Sequence, residues 1–201
     1  MKKIALLSVA AGLLLASAAA GAQTRLAVRG TVAGLNGDVL SVKSRDGKDL
    51  KVHLSDKTAV VAAKALTLAD VKPGDFVGPA SRKRPDGSLE AISVQVFPAA
   101  LRGKIPEGHM PWDLEPGSTM TNATVGRVVQ TSGGRELVLE YKGGSQKVFV
   151  PENVPIFTTV PADRSLLVAG AYIVTFANVA PDGTISTLRI SVSKGGVRPA
   201  N

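Results

Sequence analysis

Apolar and polar residues alternate along most of this chain. Leu26, Val28 and Val32, then Leu40 and Val42, then Leu50, Val52 and Leu54 recur with a period of two. That spacing turns one set of side chains inward and leaves the other in water, as in a half-buried strand. Turn residues separate the runs. Asn36-Gly37 and Asp46-Gly47 suit type I′ hairpins, whose two central positions take positive φ, and Pro85-Asp86-Gly87 divides the last two strands. One stretch breaks the alternation: Leu68 and Val71 stand three apart, just before Lys72-Pro73-Gly74-Asp75. This predicts a single helical turn, stopped by Pro73 and turned by Gly74.

The pattern occurs twice. Gly30 and Gly126 open segments that keep one register, with an offset of 126 − 30 = 96. Lys51-Val52 matches Lys147-Val148, Val60 matches Ile156, and Gly74 matches Gly170. Pro85-Asp86-Gly87 matches Pro181-Asp182-Gly183, and Leu89, Ile92, Val94 and Val96 match Ile185, Leu188, Ile190 and Val192. A register held this far reads as an internal duplication. Each copy is five or six short strands and one helical turn. A flat sheet of that size exposes two edges, so closure into a small barrel is expected. The expected fold is all-β: two tandem small antiparallel barrels of OB-like type, over 23–97 and 123–194. A Pro-rich linker, 98–122, joins them and a short tail, 195–201, follows.

The N-terminus places the chain in a compartment. Lys2 and Lys3 precede an apolar run from Ile4 to Leu15, and small residues follow, ending in Ala20-Gly21-Ala22. Charge, apolar core and A-x-A site in that order predict a signal peptide over 1–22, forming a signal helix and cleaved near Ala22. The run is shorter than the ~20 residues a membrane span needs, so the mature protein is expected without a transmembrane span, in the periplasm or secreted. The chain has no cysteine, so disulfides play no part there. The net charge of +8 includes Lys2 and Lys3, leaving 8 − 2 = 6 positive charges after cleavage. A balance of that sign favours contact with anionic envelope polymers.

The strand Leu40-Ser41-Val42-Lys43, the Asn-Gly and Asp-Gly turns, and Leu68-Ala69-Asp70-Val71-Lys72-Pro73-Gly74-Asp75 together resemble a family of exported bacterial proteins, itself of uncharacterised function, with tandem OB-like barrels. The resemblance covers Val28 to Val96 best; Val168-Ala169-Gly170-Ala171 departs from it in the second copy. It implies fold and compartment and carries no catalytic residue.

Candidate chemistry gathers in the linker. It holds the only Trp, Trp112, together with His109, Met110 and Met120, and four prolines keep it out of helix. Trp112, with Pro111 and Asp113 beside it, is expected to anchor the linker between the two units, since one indole buries a large surface. The alternative is copper: imidazole and thioether ligands from His109, Met110 and Met120 suit Cu(I). Arg82-Lys83-Arg84 at a hairpin tip is the densest basic run and a candidate contact for an anionic polymer. No nucleic-acid partner is expected, because the first copy has no aromatic between Leu26 and Asp75 on which bases could stack. No nucleophile elbow, zinc-protease pair or phosphate loop occurs. The expected function is therefore a non-enzymatic binding or adaptor protein of the envelope without a cofactor, or, alternatively, a copper binder.

Overall fold

The computed structural model describes residues 24–200, so the expected signal peptide lies outside the described residues. Among the described residues the protein is all-β, with 59% strand and no helix of seven residues or more. The strands are β1 (Thr24–Asn36), β2 (Val39–Ser44), β3 (Asp49–His53), β4 (Ala59–Leu66), β5 (Phe76–Lys83), β6 (Leu89–Val96) and β7 (Gly108–Pro111). Then follow β8 (Thr119–Thr131), β9 (Gly134–Tyr141), β10 (Gly144–Pro151), β11 (Ile156–Ala162), β12 (Tyr172–Val179), β13 (Ile185–Ser186) and β14 (Arg189–Val192).

The barrels close by exchange of strands between the two segments. β1 pairs with β2 and β2 with β3, but β3 then pairs in parallel with β13, and β13 with β12, which returns to β1. The second ring runs β8, β9, β10, then β6 and β5, and β5 returns to β8. Each ring thus takes three strands from one segment and its closing strands from the other. The cores follow the same division. Val28, Leu40, Val42 and Val52 pack with Ile173, Ala177 and Ile190, whereas Val77, Ala91 and Val94 pack with Val125, Leu137 and Val148. The segments 23–97 and 123–194 are therefore not the packing units, and the expectation of two side-by-side barrels needs this correction. Alternation shows only which face of a strand is inward, and both arrangements bury the same face.

The seam between the rings is the antiparallel pair β4–β11. Its register runs from Leu66 opposite Ile156 to Val60 opposite Ala162, with Ala63 opposite Thr159 at the middle. One face of this pair serves both cores: Val60 and Ala62 join the first, while Leu66 and Ile156 join the second.

Local signals fare unevenly. The helical turns form as short 3₁₀ segments at Leu68–Asp70 and Arg164–Leu166. Asp70 accepts from the Thr67 backbone N–H and from its hydroxyl, both at 2.7 Å, and so closes the first. The hairpins differ in type from the expectation. Among the described residues positive φ occurs only at glycine, so Asn36 and Asp46 do not take the mirror-image conformation. The first turn is Gly37-Asp38 between paired Asn36 and Val39. The second is Arg45-Asp46-Gly47, with Gly47 donating to the Ser44 carbonyl at 2.9 Å and carrying φ 84°. That is a three-residue loop ending in a left-handed glycine. A bulge in β6 shifts the pairing from Ala80–Ser93 to Ser81–Ala91, leaving Ile92 as the extra residue. Ala91, not Ile92, therefore enters the core. Leu188 falls at the matching break between β13 and β14 and is 63% exposed.

Gly30 lies where β1 is paired on both sides, with Ser44 and with Ile173. A Cβ there would stand 2.2 Å from the Lys43 carbonyl oxygen. Gly30→Ala is expected to cost about 1–3 kcal/mol through forced backbone shifts, read as a lower denaturation midpoint at unchanged slope.

Candidate binding site at the linker hook

The linker is tied to both rings in turn. Its first part lies on the second ring: Arg102 donates to the Gly74 carbonyl at 2.7 Å and to Thr124 Oγ1 at 2.9 Å, and β7 pairs along β8. Pro111 ends that short edge strand, a position that needs no further ladder donor. The chain then turns as a hook, Trp112-Asp113-Leu114. Buried Ser118 closes it, its one hydroxyl proton shared between the Glu115 carbonyl at 2.8 Å and the Trp112 carbonyl at 3.1 Å from Oγ.

The hook rests on the first ring. The Trp112 ring meets Phe176 of β12 at 5.6 Å between centroids, and the Arg29 guanidinium sits 5.9 Å from Trp112 and 5.7 Å from Phe176. Arg29 Nη1 donates to Asp113 Oδ2 at 2.8 Å. Arg45 donates from Nη1 to the Leu114 carbonyl at 3.0 Å and from Nη2 to the Asp113 carbonyl at 2.5 Å. Strand geometry explains the placement: Val28 points into the core, so its neighbour Arg29 points out, where Phe176 stands diagonally across the β1–β12 ladder. Although on the outer face, Arg29 is only 2% exposed, because the hook covers it.

Beside Arg29 opens a cavity of about 270 Å³, whose lining includes Leu26, Arg45, Asp46, Lys48 and Leu50. Burial raises the pKa of Asp113, but the hydrogen bond and charge of Arg29 outweigh it and hold the carboxyl below its ordinary range. A depressed carboxyl contributes stability that is present above the unfolded pKa, about 3.9, and is lost as pH falls through the folded value. Fluorescence of Trp112, the only indole in the chain, is therefore expected to stay constant down to about pH 4 and to change below it as the hook lets go.

The other candidates are placed as follows. His109 lies opposite Thr121 and its Nδ1 sits 2.8 Å from Thr121 Oγ1, whereas Met110 lies opposite Met120. Successive residues of a strand face opposite ways, so His109 is turned away from the paired methionines and the three do not converge on one ion. Arg84 binds Glu90 through Nε at 2.8 Å and Nη2 at 2.5 Å, and Arg82 lies 3.5 Å from the same carboxylate. Arg84 also lies 4.4 Å over Phe149 of β10. Arg84 is thus spent within the protein, whereas Arg82, with its side chain 54% exposed, and Lys83 remain exposed. Several aspartates belong to turns. Asp86 and Asp182 accept the backbone N–H of Ser88 and Thr184, each at 2.9 Å, and these bonds, with those from the two hydroxyls, lower their pKa.

No family model, no curated protein and no solved structure matches the chain. The site therefore rests on its own chemistry. Sequence reading finds Trp112 and Asp113 through composition, but it misses Arg29, Arg45 and Phe176. Nothing local marks a contact between residues 84 positions apart, such as Arg29 and Asp113. The one available signal is an arginine set among Leu26, Ala27, Val28 and Gly30 in the middle of the strand.

Proposed function

We propose that the protein is an exported, non-catalytic binding or adaptor module of the bacterial envelope, built from a duplicated OB-like unit, with its recognition surface where the linker hook crosses the first ring. One observation carries this reading. Trp112 and Phe176 form an aromatic ledge, with Phe176 still 43% exposed, above a buried arginine and beside a cavity. Large apolar rings left part-exposed among convergent polar groups are what a binding surface offers.

Two features support the duplicated, OB-like part of the proposal. Each ring runs through three consecutive strands and closes through a parallel pair with a strand late in the other segment, β13 or β6. The residues facing each other at the middle of the seam, Ala63 and Thr159, differ by 159 − 63 = 96, the offset of the sequence match. Two equivalent strands related by a twofold axis must place equivalent residues opposite each other on that axis. The signal sequence supports export, and cell fractionation is expected to recover the chain outside the inner membrane, beginning at Gln23.

The binding surface is tested by photo-crosslinking in intact cells from position 176 and, as a control, from Lys142 in an exposed turn of the second ring. A discrete adduct from 176 alone, lost in Trp112→Ala, is the expected result; equal labelling from both positions would overturn the assignment. Because the rings interlock, Trp112→Ala should speed proteolysis of the linker while leaving the far-UV spectrum unchanged.

A further inference from the structure

The guanidinium of Arg29 is half used. Nη1 donates to Asp113, but Nε and Nη2 are buried and have no hydrogen-bond partner among the described residues. Those two groups form the side of the guanidinium whose N–H bonds run parallel, the geometry that takes both oxygens of a carboxylate or phosphate at once. Trp112 Nε1 is a third buried donor in the same state. Unpaired buried donors are costly, and the cost is relieved by an acceptor.

The surroundings suit a negative ligand. Asp46 lies 3.2 Å from Lys48 and so is already answered, and Asp113 is answered by Arg29. Arg45 is hydrogen-bonded to two neutral carbonyls and acts on Asp113 only through its charge, so Arg29, Arg45 and Lys48 exceed Asp46 and Asp113 by one positive charge, 3 − 2 = 1. Leu26 and Leu50 form an apolar wall of the same cavity. At about 270 Å³ it lies just below the range of about 300–1,000 Å³ typical of ligand pockets, so it fits a small molecule or the end group of a polymer rather than a strand.

We propose that the cavity beside Arg29 on the first ring is a receptor for a small organic oxyanion, a carboxylate or phosphate monoester on a short apolar body, held by the unpaired edge of Arg29 with Arg45 and Lys48 at the rim. This rests on the binding-module reading and gives that module a ligand chemistry. The guanidinium lies 5.9 Å from the Trp112 ring and 5.7 Å from the Phe176 ring, and its Nε and Nη2 are buried, so an arriving oxyanion reaches them by displacing the Trp112 ring, and the single indole reports the event.

The test titrates the mature full-length protein with butyrate, butyl phosphate, inorganic phosphate and chloride at constant ionic strength, following Trp112 emission. A saturable change with butyrate or butyl phosphate, and none with chloride, is expected. Arg29→Lys keeps the charge but loses the two-pronged edge, and should weaken binding at least about tenfold. Lys48→Met, at the exposed rim, should weaken it about two- to threefold. No saturation with any probe, or an unchanged affinity in Arg29→Lys, overturns the proposal. Should Arg29→Lys lose the wild-type circular dichroism spectrum, an unchanged affinity in both Lys48→Met and Arg45→Gln overturns it instead. An equal response to inorganic phosphate and butyl phosphate refutes the apolar body. A silent titration leaves the crosslinks from position 176 in place, whereas failure of the binding-module reading removes those as well.

Discussion

A protease site placed between Gly103 and Lys104 is expected to yield two fragments that stay together in native buffer and part only in denaturant. Both residues are exposed, so the cut is accessible. Separation would strip Leu167, Ile173, Ile190 and Val192 from the first core, and Val77, Leu89 and Val94 from the second. At about 1.5–3 kcal/mol for each large apolar side chain, those seven represent roughly 10–20 kcal/mol. Dissociation at micromolar concentration requires the interaction to be weaker than about 8 kcal/mol, so burial prevails. Polar ties act in the same direction: Arg164 donates to Asp38 Oδ1 at 2.8 Å, and Arg135 to the Leu68 carbonyl at 2.8 Å. The expected readings are one gel-filtration peak holding both fragments and a melting temperature that now depends on concentration. Two half-size peaks would mean that each segment closes on itself.

The strand content was legible because local chemistry and tertiary packing agree in it. Val28, Val32, Leu40, Val42, Val52 and Leu54 alternate in the chain, and all six are core residues. The exchange was not legible, because β12 offers β1 the same edge and the same inward face that a strand of its own segment would. Only the connection tells them apart, and the pattern of apolar residues does not record it. The turn types illustrate a finer failure. Asn36-Gly37 reads as a mirror-image turn from composition, yet the β1–β2 register pairs Asn36 itself with Val39 and moves the turn one residue on. The site was half visible. Trp112 and Asp113 stand out as rare residues in an unusual linker, whereas Arg29 and Arg45 acquire their roles only when residues far along the chain fold back onto them.

The exchanged architecture also fixes how the protein unfolds. Leu137 is fully buried in the second core and Ile173 fully buried in the first. Truncating either to Ala should cost about 2–5 kcal/mol, the lost transfer energy plus that of the cavity left behind. In two independent barrels, each change would weaken only its own core. Here β4 and β11 each contribute to both cores, and every ring needs strands from both segments, so neither core can open while the other keeps its partners. Trp112 sits on the first ring, against Arg29 and Phe176, and its emission follows that ring alone, while far-UV circular dichroism follows all strands. In urea, Leu137→Ala is expected to move both signals to the same lower midpoint, with one transition in each. If the Trp112 transition stays at the wild-type midpoint while the dichroism splits in two, the rings are independent and the exchange confers no cooperativity. Ile173→Ala supplies the reciprocal test: it should shift the dichroism as one whole transition and not as the share of strand held by the first ring.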